Sequence, residues 1–343
     1  MRSNIPSAIT ILLPSVFFGA VVSPPPASGA EMCDGKPATI VGTSETVVGT
    51  EGPDRIITGS ATSVVGGGGP DVICVTGDSG TVAIDAPGGW VHLSRSGAYE
   101  IDNSRGTVKI DGEVRVQATS ALAFNVSAAR VPSLSYVGSD DEDFLLVEAL
   151  EGATTYAIDL GGGADSLYIS PAPAAGSSVV GGDGPDFLVT ATGSGALALD
   201  VRKDELVHRQ PAGDARSHLA SFQHIQLVAP RVRYRGSDRM DAIEATGCRV
   251  DIDARGGNDT AWLGPDVAFK NRFECVPRAT IRGGAGNDVL RGGPGPDRIL
   301  GGSGNDELMG RDGRDVLLGG PGRDRADGGK GHDRCVAERV RGC

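Results

Sequence analysis

Six aspartates recur at a fixed interval late in the 343-residue chain: Asp288, Asp297, Asp306, Asp315, Asp324 and Asp333. Carboxylates are hard oxygen ligands, and a row of them repels itself unless cations intervene. The intervening residues decide whether this row exists in space. Residues 283–336 read GGAGNDVLR, GGPGPDRIL, GGSGNDELM, GRDGRDVLL, GGPGRDRAD and GGKGHDRCV, with no insertion. Gly opens every nine-residue unit, at Gly283, Gly292, Gly301, Gly310, Gly319 and Gly328, and Gly returns at every fourth position. The eighth position is apolar or small: Leu290, Ile299, Leu308, Leu317, Ala326 and Cys335. Such periodicity outranks other sequence signals of fold.

Two glycines per unit permit a tight turn with positive φ. The triplet around position eight predicts a very short strand with its middle side chain inward. Each unit is then half a coil, turn then strand, and two units make one coil. Equivalent positions in successive coils stack about 4.8 Å apart. That places Asp288 near Asp306, Asp297 near Asp315, Asp306 near Asp324, and Asp315 near Asp333. Stacked carboxylates with turn carbonyls make a flexible oxygen cage suited to calcium. A linker with merely solvated aspartates is the alternative, but it has no reason to hold four positions in phase over six periods.

These units resemble the calcium-binding nonapeptide G-G-x-G-x-D-x-U-x of the RTX, or haemolysin-type, repeat family. The resemblance covers residues 283–335. It implies an all-β fold, a right-handed parallel β-solenoid or β-roll, with Ca2+ held between stacked turns by the six aspartates. Two departures stand out. Arg314, Arg323 and His332 occupy fifth positions near the expected ions, and Arg311 replaces a second-position Gly.

Bulk composition agrees with a solenoid. Aromatic residues make up 4% of the chain and Gly contributes 53 residues, which suits a stack of small aliphatic side chains better than a jigsaw core. The net charge of −12 argues against nucleic acid or an anionic membrane as partner. From Gly283 onward acidic and basic residues balance, so the acidic excess lies upstream. Arg291, Arg298, Arg325 and Arg334 fall at outward strand positions. There they serve solubility and edge protection or, in a sharper reading, a surface for an extracellular glycan or cell surface.

Residues 1–30 read as an export signal. Arg2 supplies a positive start, residues 9–22 are apolar around Pro14, and Ala27-Ser28-Gly29-Ala30 ends in small residues. A membrane anchor is the alternative, but the run is short for a span, and no other apolar stretch is long enough to cross a bilayer. The protein is therefore expected outside the cell. Its six cysteines, Cys33, Cys74, Cys248, Cys275, Cys335 and Cys343, all follow the expected cleavage point. An even count in an exported chain predicts disulfides. Because a solenoid brings only neighbouring coils together, we expect Cys33–Cys74, Cys248–Cys275 and Cys335–Cys343. Structural zinc competes poorly, since no Cys-x-x-Cys spacing exists.

Residues 31–282 carry scattered echoes of the unit: GTEGPDRII at 49–57, GGGGPDVIC at 66–74, GSDDEDFLL at 138–146, LGGGADSLY at 160–168, GGDGPDFLV at 181–189, GSDRMDAIE at 236–244, and GGNDTAWL around Asp259. They are isolated and out of phase in sequence. Spacings near one coil length predict irregular coils of a longer solenoid, with a separate β-sandwich as the alternative. Asp71, Asp165 and Asp186 are candidate additional metal ligands. Alternating segments such as 81–85 and 107–111 read as strands. The expected organisation is a signal at 1–30, an irregular β-rich region at 31–282 and a calcium-binding β-roll at 283–343.

Catalytic patterns are absent. The chain has no His-Glu-x-x-His and no Gly-x-Ser-x-Gly. His208, His218 and His224 fall in one polar stretch, where scattered surface positions are a simpler reading than a metal site. The Asp140–Asp141–Glu142–Asp143 run reads as a solvated turn, with an extra calcium site second. Asn125-Val126-Ser127 and Asn258-Asp259-Thr260 match glycan acceptors weakly. The expectation is a calcium-stabilised extracellular structural or binding protein. The alternative is a polysaccharide lyase or epimerase on a parallel β-helix, an analogy of fold alone.

Overall fold

The computed structural model describes residues 31–76, 80–119, 122–264, 273 and 275–343. The expected export signal at 1–30 lies outside the described residues. Alternation shapes the strands: Thr155–Gly161 buries every second side chain, and the repeat triplets Val289–Arg291, Glu307–Met309 and Val316–Leu318 bury their middle one. Among the described residues there is no α-helix, and the strands form two long, mostly parallel sheets.

A fifteen-stranded sheet starts at Ile40–Val41 and ends at Arg339–Arg341. An eighteen-stranded sheet starts at Thr46–Val48 and ends at Arg334–Val336. Both run without interruption across residue 283, so the echoes and the regular repeats share one solenoid. Inward side chains stack in register: Ala261, Leu290, Leu308 and Ala326 in the first sheet, and Ile252, Ile281, Ile299 and Leu317 in the second. One buried apolar cluster extends from Val47 to Ala326. The few aromatics concentrate upstream, with Tyr99, Phe124, Tyr136, Tyr156 and Tyr234 fully buried. Beyond Gly283 the core is aliphatic and thin.

Two meanders interrupt the parallel order. Tyr99–Asp102, Thr107–Ile110 and Glu113–Ala118 run antiparallel to one another, as do Ala196–Asp200, Glu205–Gln210 and Gly213–Ala220. The outer strands of each rejoin the eighteen-stranded sheet in parallel. Both turn on a 3-10 segment, Asn103–Arg105 and Val201–Lys203, each closed by a left-handed residue. The first meander falls between Asp71 and Asp143 and the second between Asp186 and Gln223, lengthening the sequence there.

Disulfides join Cys33 to Cys74, Cys248 to Cys275 and Cys335 to Cys343. The first staples the short hairpin Met32–Cys33 and Lys36–Pro37 onto the sheet, where Cys33, Ile57 and Cys74 pack together. The last ties the final coil to the end of the chain.

Candidate metal centre

Each repeat turn folds its aspartate back over the glycine that opens the unit. A Cβ placed on Gly283 would lie 2.1 Å from Asp288 Oδ2, so a side chain there would displace the carboxylate. The turn of one coil also sits tightly on the next. Gly302 has φ +123°, and a Cβ there would lie 1.9 Å from the Gly284 carbonyl oxygen. Carboxylate and carbonyl oxygens thus converge along each edge of the stack, one column per edge.

The two carboxylate oxygens play different parts. Oδ1 accepts a backbone N–H from the preceding coil. The Asp288 N–H donates to Asp306 Oδ1 at 2.9 Å and the Asp306 N–H to Asp324 Oδ1 at 3.0 Å. In the second column the Asp297 and Asp315 N–H groups donate to Asp315 and Asp333, each at 2.8 Å. All four contacts expected from the spacing are formed. Oδ2 of Asp288, Asp306, Asp315, Asp324 and Asp333 is buried and has no hydrogen-bond partner. Asp297 departs from this group, because its Oδ2 accepts the Gly293 N–H at 2.6 Å and its Oδ1 the Ala279 N–H at 2.6 Å.

The first column continues beyond the repeats, so Asp288 does not begin it. The Asp241 N–H donates to Asp259 Oδ1 and the Asp259 N–H to Asp288 Oδ1. Farther upstream, Asp143, Asp165 and Asp186 form the same ladder, which Gln223 continues through its side-chain carbonyl. Asp54 bonds Asp71 likewise. Glu338 ends the column by accepting the Asp324 N–H at 2.7 Å. The upstream aspartates are out of phase in sequence but in phase in space. The acidic run at 140–143 divides accordingly: Asp143 is buried and its three neighbours are exposed. Asp71, Asp165 and Asp186 all stand in the ladder, but Asp71 Oδ2 is not among the orphaned atoms.

Sequence reading missed a second ladder. The N–H groups of Asn287, Asn305 and Arg323 donate to the side-chain oxygens of Asn258, Asn287 and Asn305 at 2.7–2.9 Å. It runs opposite to the aspartate ladder, and the recurrence of Asn at position five was its signal. The side chains of Arg314, Arg323 and His332 are exposed.

Burial pushes the Asp297, Asp306 and Asp315 carboxyls up to about 6, and those of Asp165 and Asp259 up to about 7, with neighbouring carboxylates adding to the effect. Asp54 goes the other way, because the Thr50 N–H stabilises its anion. A buried anionic oxygen without a donor is costly, and a cation removes both the charge and the missing partner. Among the described residues no three His, Cys, Asp or Glu side chains gather as a metal cluster. Each coil offers one carboxylate per column, so a cation here would draw on backbone carbonyls as well, as hard calcium does. His208 is buried against Thr192 and Gln210, whereas His218 and His224 are exposed. Tyr99, Tyr136, Tyr156 and Tyr234 lie in the core.

A parallel β-solenoid with buried carboxylates stacked at its turns is the class of molecule this geometry defines. Residues 280–308 and 300–335 match the family model of the RTX calcium-binding nonapeptide repeat (4 copies). The C-terminal coils are thus a calcium-binding repeat module, and the match is confined to that stretch. No curated protein matches the chain.

Proposed function

We propose that the protein is an exported calcium-binding solenoid whose C-terminal coils are completed by calcium, serving as a structural or binding module outside the cell. The observation that carries this reading is the row of buried, unpartnered Oδ2 atoms at Asp288, Asp306, Asp315, Asp324 and Asp333. These five supply carboxylate oxygen to the ions, and Asp297 contributes less because both its oxygens are already engaged. The regular calcium-binding coils from residue 283 onward have an aliphatic core, whereas the coils before them also bury Tyr99, Phe124, Tyr136, Tyr156 and Tyr234. Export is supported by three disulfides, which persist in oxidising compartments, and by the signal-like residues 1–30. Among the described residues no helix is long and apolar enough to cross a membrane.

The test is a calcium titration of the mature, disulfide-intact chain, followed by far-ultraviolet circular dichroism and thermal unfolding. Ion binding to the folded state should raise the melting temperature with calcium concentration. Identical melting in chelator and in millimolar calcium would exclude the reading. Glycan-array binding with and without calcium then separates a binding role from a purely structural one.

A further inference from the structure

The turns divide into open and closed by the conformation of their second residue. Where that residue is Thr50, Ser139, Ser237 or Gly293, its N–H donates to Oδ2 of the aspartate four residues on, at 2.6 Å in all four turns. None of those residues has positive φ. Where the second residue is left-handed, its N–H makes no such bond. Gly284, Gly302, Arg311, Gly320 and Gly329 have φ between +78° and +123°, and the aspartates that follow keep an orphaned Oδ2. Three left-handed second residues lie far upstream of the matched repeats; Gly67 (φ +91°) precedes Asp71, whose Oδ2 is not among the orphaned atoms, and the other two differ from it. Gly161 (φ +88°) precedes Asp165 and Gly182 (φ +99°) precedes Asp186, and both aspartates have an unpartnered Oδ2.

We propose that the turns 160–165 and 181–186 form a second calcium site, separate from the C-terminal repeats. The proposal rests on the reading of orphaned carboxylate oxygens as calcium ligands given above. Asp165 and Asp186 are 1% and 0% exposed, so water does not replace the missing partner. The two turns are stacked as repeat turns are. Gly162 bridges Asp183 in parallel, the Gly163 N–H donates to Asp183 O at 3.0 Å, and the Asp183 N–H donates to Gly161 O at 2.8 Å. A Cβ on Gly182 would lie 1.9 Å from Gly161 O, the same approach as Gly302 makes to Gly284 O. One difference is that Leu160, not Gly, opens the first of these turns.

The site is bounded on both sides. One coil before it, Asp143 Oδ2 takes the Ser139 N–H and hydroxyl. One coil after it, Gln223 stands in the ladder and brings no charge. Asp241 is then closed by Ser237 before Asp259 reopens the column. The pair 165/186 therefore cannot be a continuation of the C-terminal ions. Carboxylate oxygens combined with turn carbonyls suit calcium's flexible coordination better than the rigid octahedron of magnesium.

Equilibrium dialysis of the full mature chain against radiolabelled calcium tests this, using Asp186→Asn, Asp143→Asn and Asp306→Asn. Asn keeps the side-chain oxygen that accepts the neighbouring N–H and replaces Oδ2 with an amide that cannot ligate. We expect Asp186→Asn to lose at least one bound calcium, Asp143→Asn to lose none, and Asp306→Asn to lose calcium independently of the other two. Full calcium occupancy in Asp186→Asn alongside a loss in Asp306→Asn would overturn the second site and leave the C-terminal module standing. Absence of calcium binding by the wild-type chain would overturn both. Amide exchange in the wild-type chain gives a readout that no variant's folding affects. Calcium should slow exchange at Gly161, Gly163, Gly182 and Gly184. A response at Gly284 and Gly302 without one at these four refutes the upstream site.

Discussion

Asp306 does two things that substitution can separate. Its Oδ1 accepts the Asp288 N–H, while its Oδ2 has no partner. Asp306→Asn keeps the first and abolishes the second; Asp306→Ala removes both. Without calcium, Asp306→Asn should be at least as stable as wild type, because a buried charge is gone. Asp306→Ala strands a buried N–H, at a cost of about 1–3 kcal/mol. In saturating calcium both lose an ion's contribution, about 2.7 kcal/mol at a hundredfold excess over Kd. Asp288→Ala should match Asp306→Ala, since Asp259 and Asp306 flank it in the ladder. Asp327 lies outside the turn and 3.9 Å from Arg341 in a surface pair, which is worth about 0–1 kcal/mol. Melting curves with and without calcium check the order, and Asp327→Ala behaving like Asp306→Ala would break the assignment. The repeat pattern alone makes Asp297 equal to its siblings. Gly293 and Gly284 are the same letter with different φ, so that distinction is not written in the sequence. Ser139, Ser237 and Thr50 follow the rule that a residue with a Cβ avoids left-handed backbone, but Arg311 at φ +78° breaks it and leaves its turn open, so residue type alone does not decide closure.

At the scale of the coil, the turn controls stacking. Gly302→Ala must accommodate a Cβ at φ +123° and 1.9 Å from the Gly284 carbonyl. We expect it to lower the melting temperature in chelator and in calcium alike, at a cost well above ~1 kcal/mol. Gly52→Ala is the control. Its Cβ would meet nothing closer than Thr50 Oγ1 at 3.9 Å, and a change within about 0.5 kcal/mol is expected. Equal destabilisation by the two would mean that close turn stacking is not what the repeat glycines provide. The regular coils were readable because turn glycines, aspartate and an inward Leu or Ile recur together. Strands at Val82–Asp85 and Thr107–Ile110 were readable by alternation. Their directions were not. Alternation is identical in parallel and antiparallel strands, so the two meanders stayed hidden. The second of them separates Asp186 from Gln223 by 37 residues within a single step of the ladder.

Across the whole molecule the carboxylates couple stability to pH, and calcium removes that coupling. Burial raises the folded-state pKa of Asp306, Asp315 and Asp297 to about 6 and of Asp165 and Asp259 to about 7. An unfolded aspartate titrates near about 3.9. Between those values the unfolded chain has released protons that the folded chain still holds. Stability then falls as pH rises, since its slope follows the protons bound by the unfolded state minus those bound by the folded state. In chelator the melting temperature should decline from about pH 4 to about pH 7 and level off above. Bound calcium requires the anions and displaces those protons, which brings the folded-state pKa values below the unfolded ones. In saturating calcium the same interval should be nearly flat, with stability lost only as pH falls below about 4, where the unfolded aspartates take up protons. Binding itself should release protons below about pH 7, measurable as a buffer-dependent heat of titration. Thermal unfolding at half-unit pH steps, with and without calcium, gives two curves that diverge as pH rises. Parallel curves would mean that these carboxylates do not hold the ion.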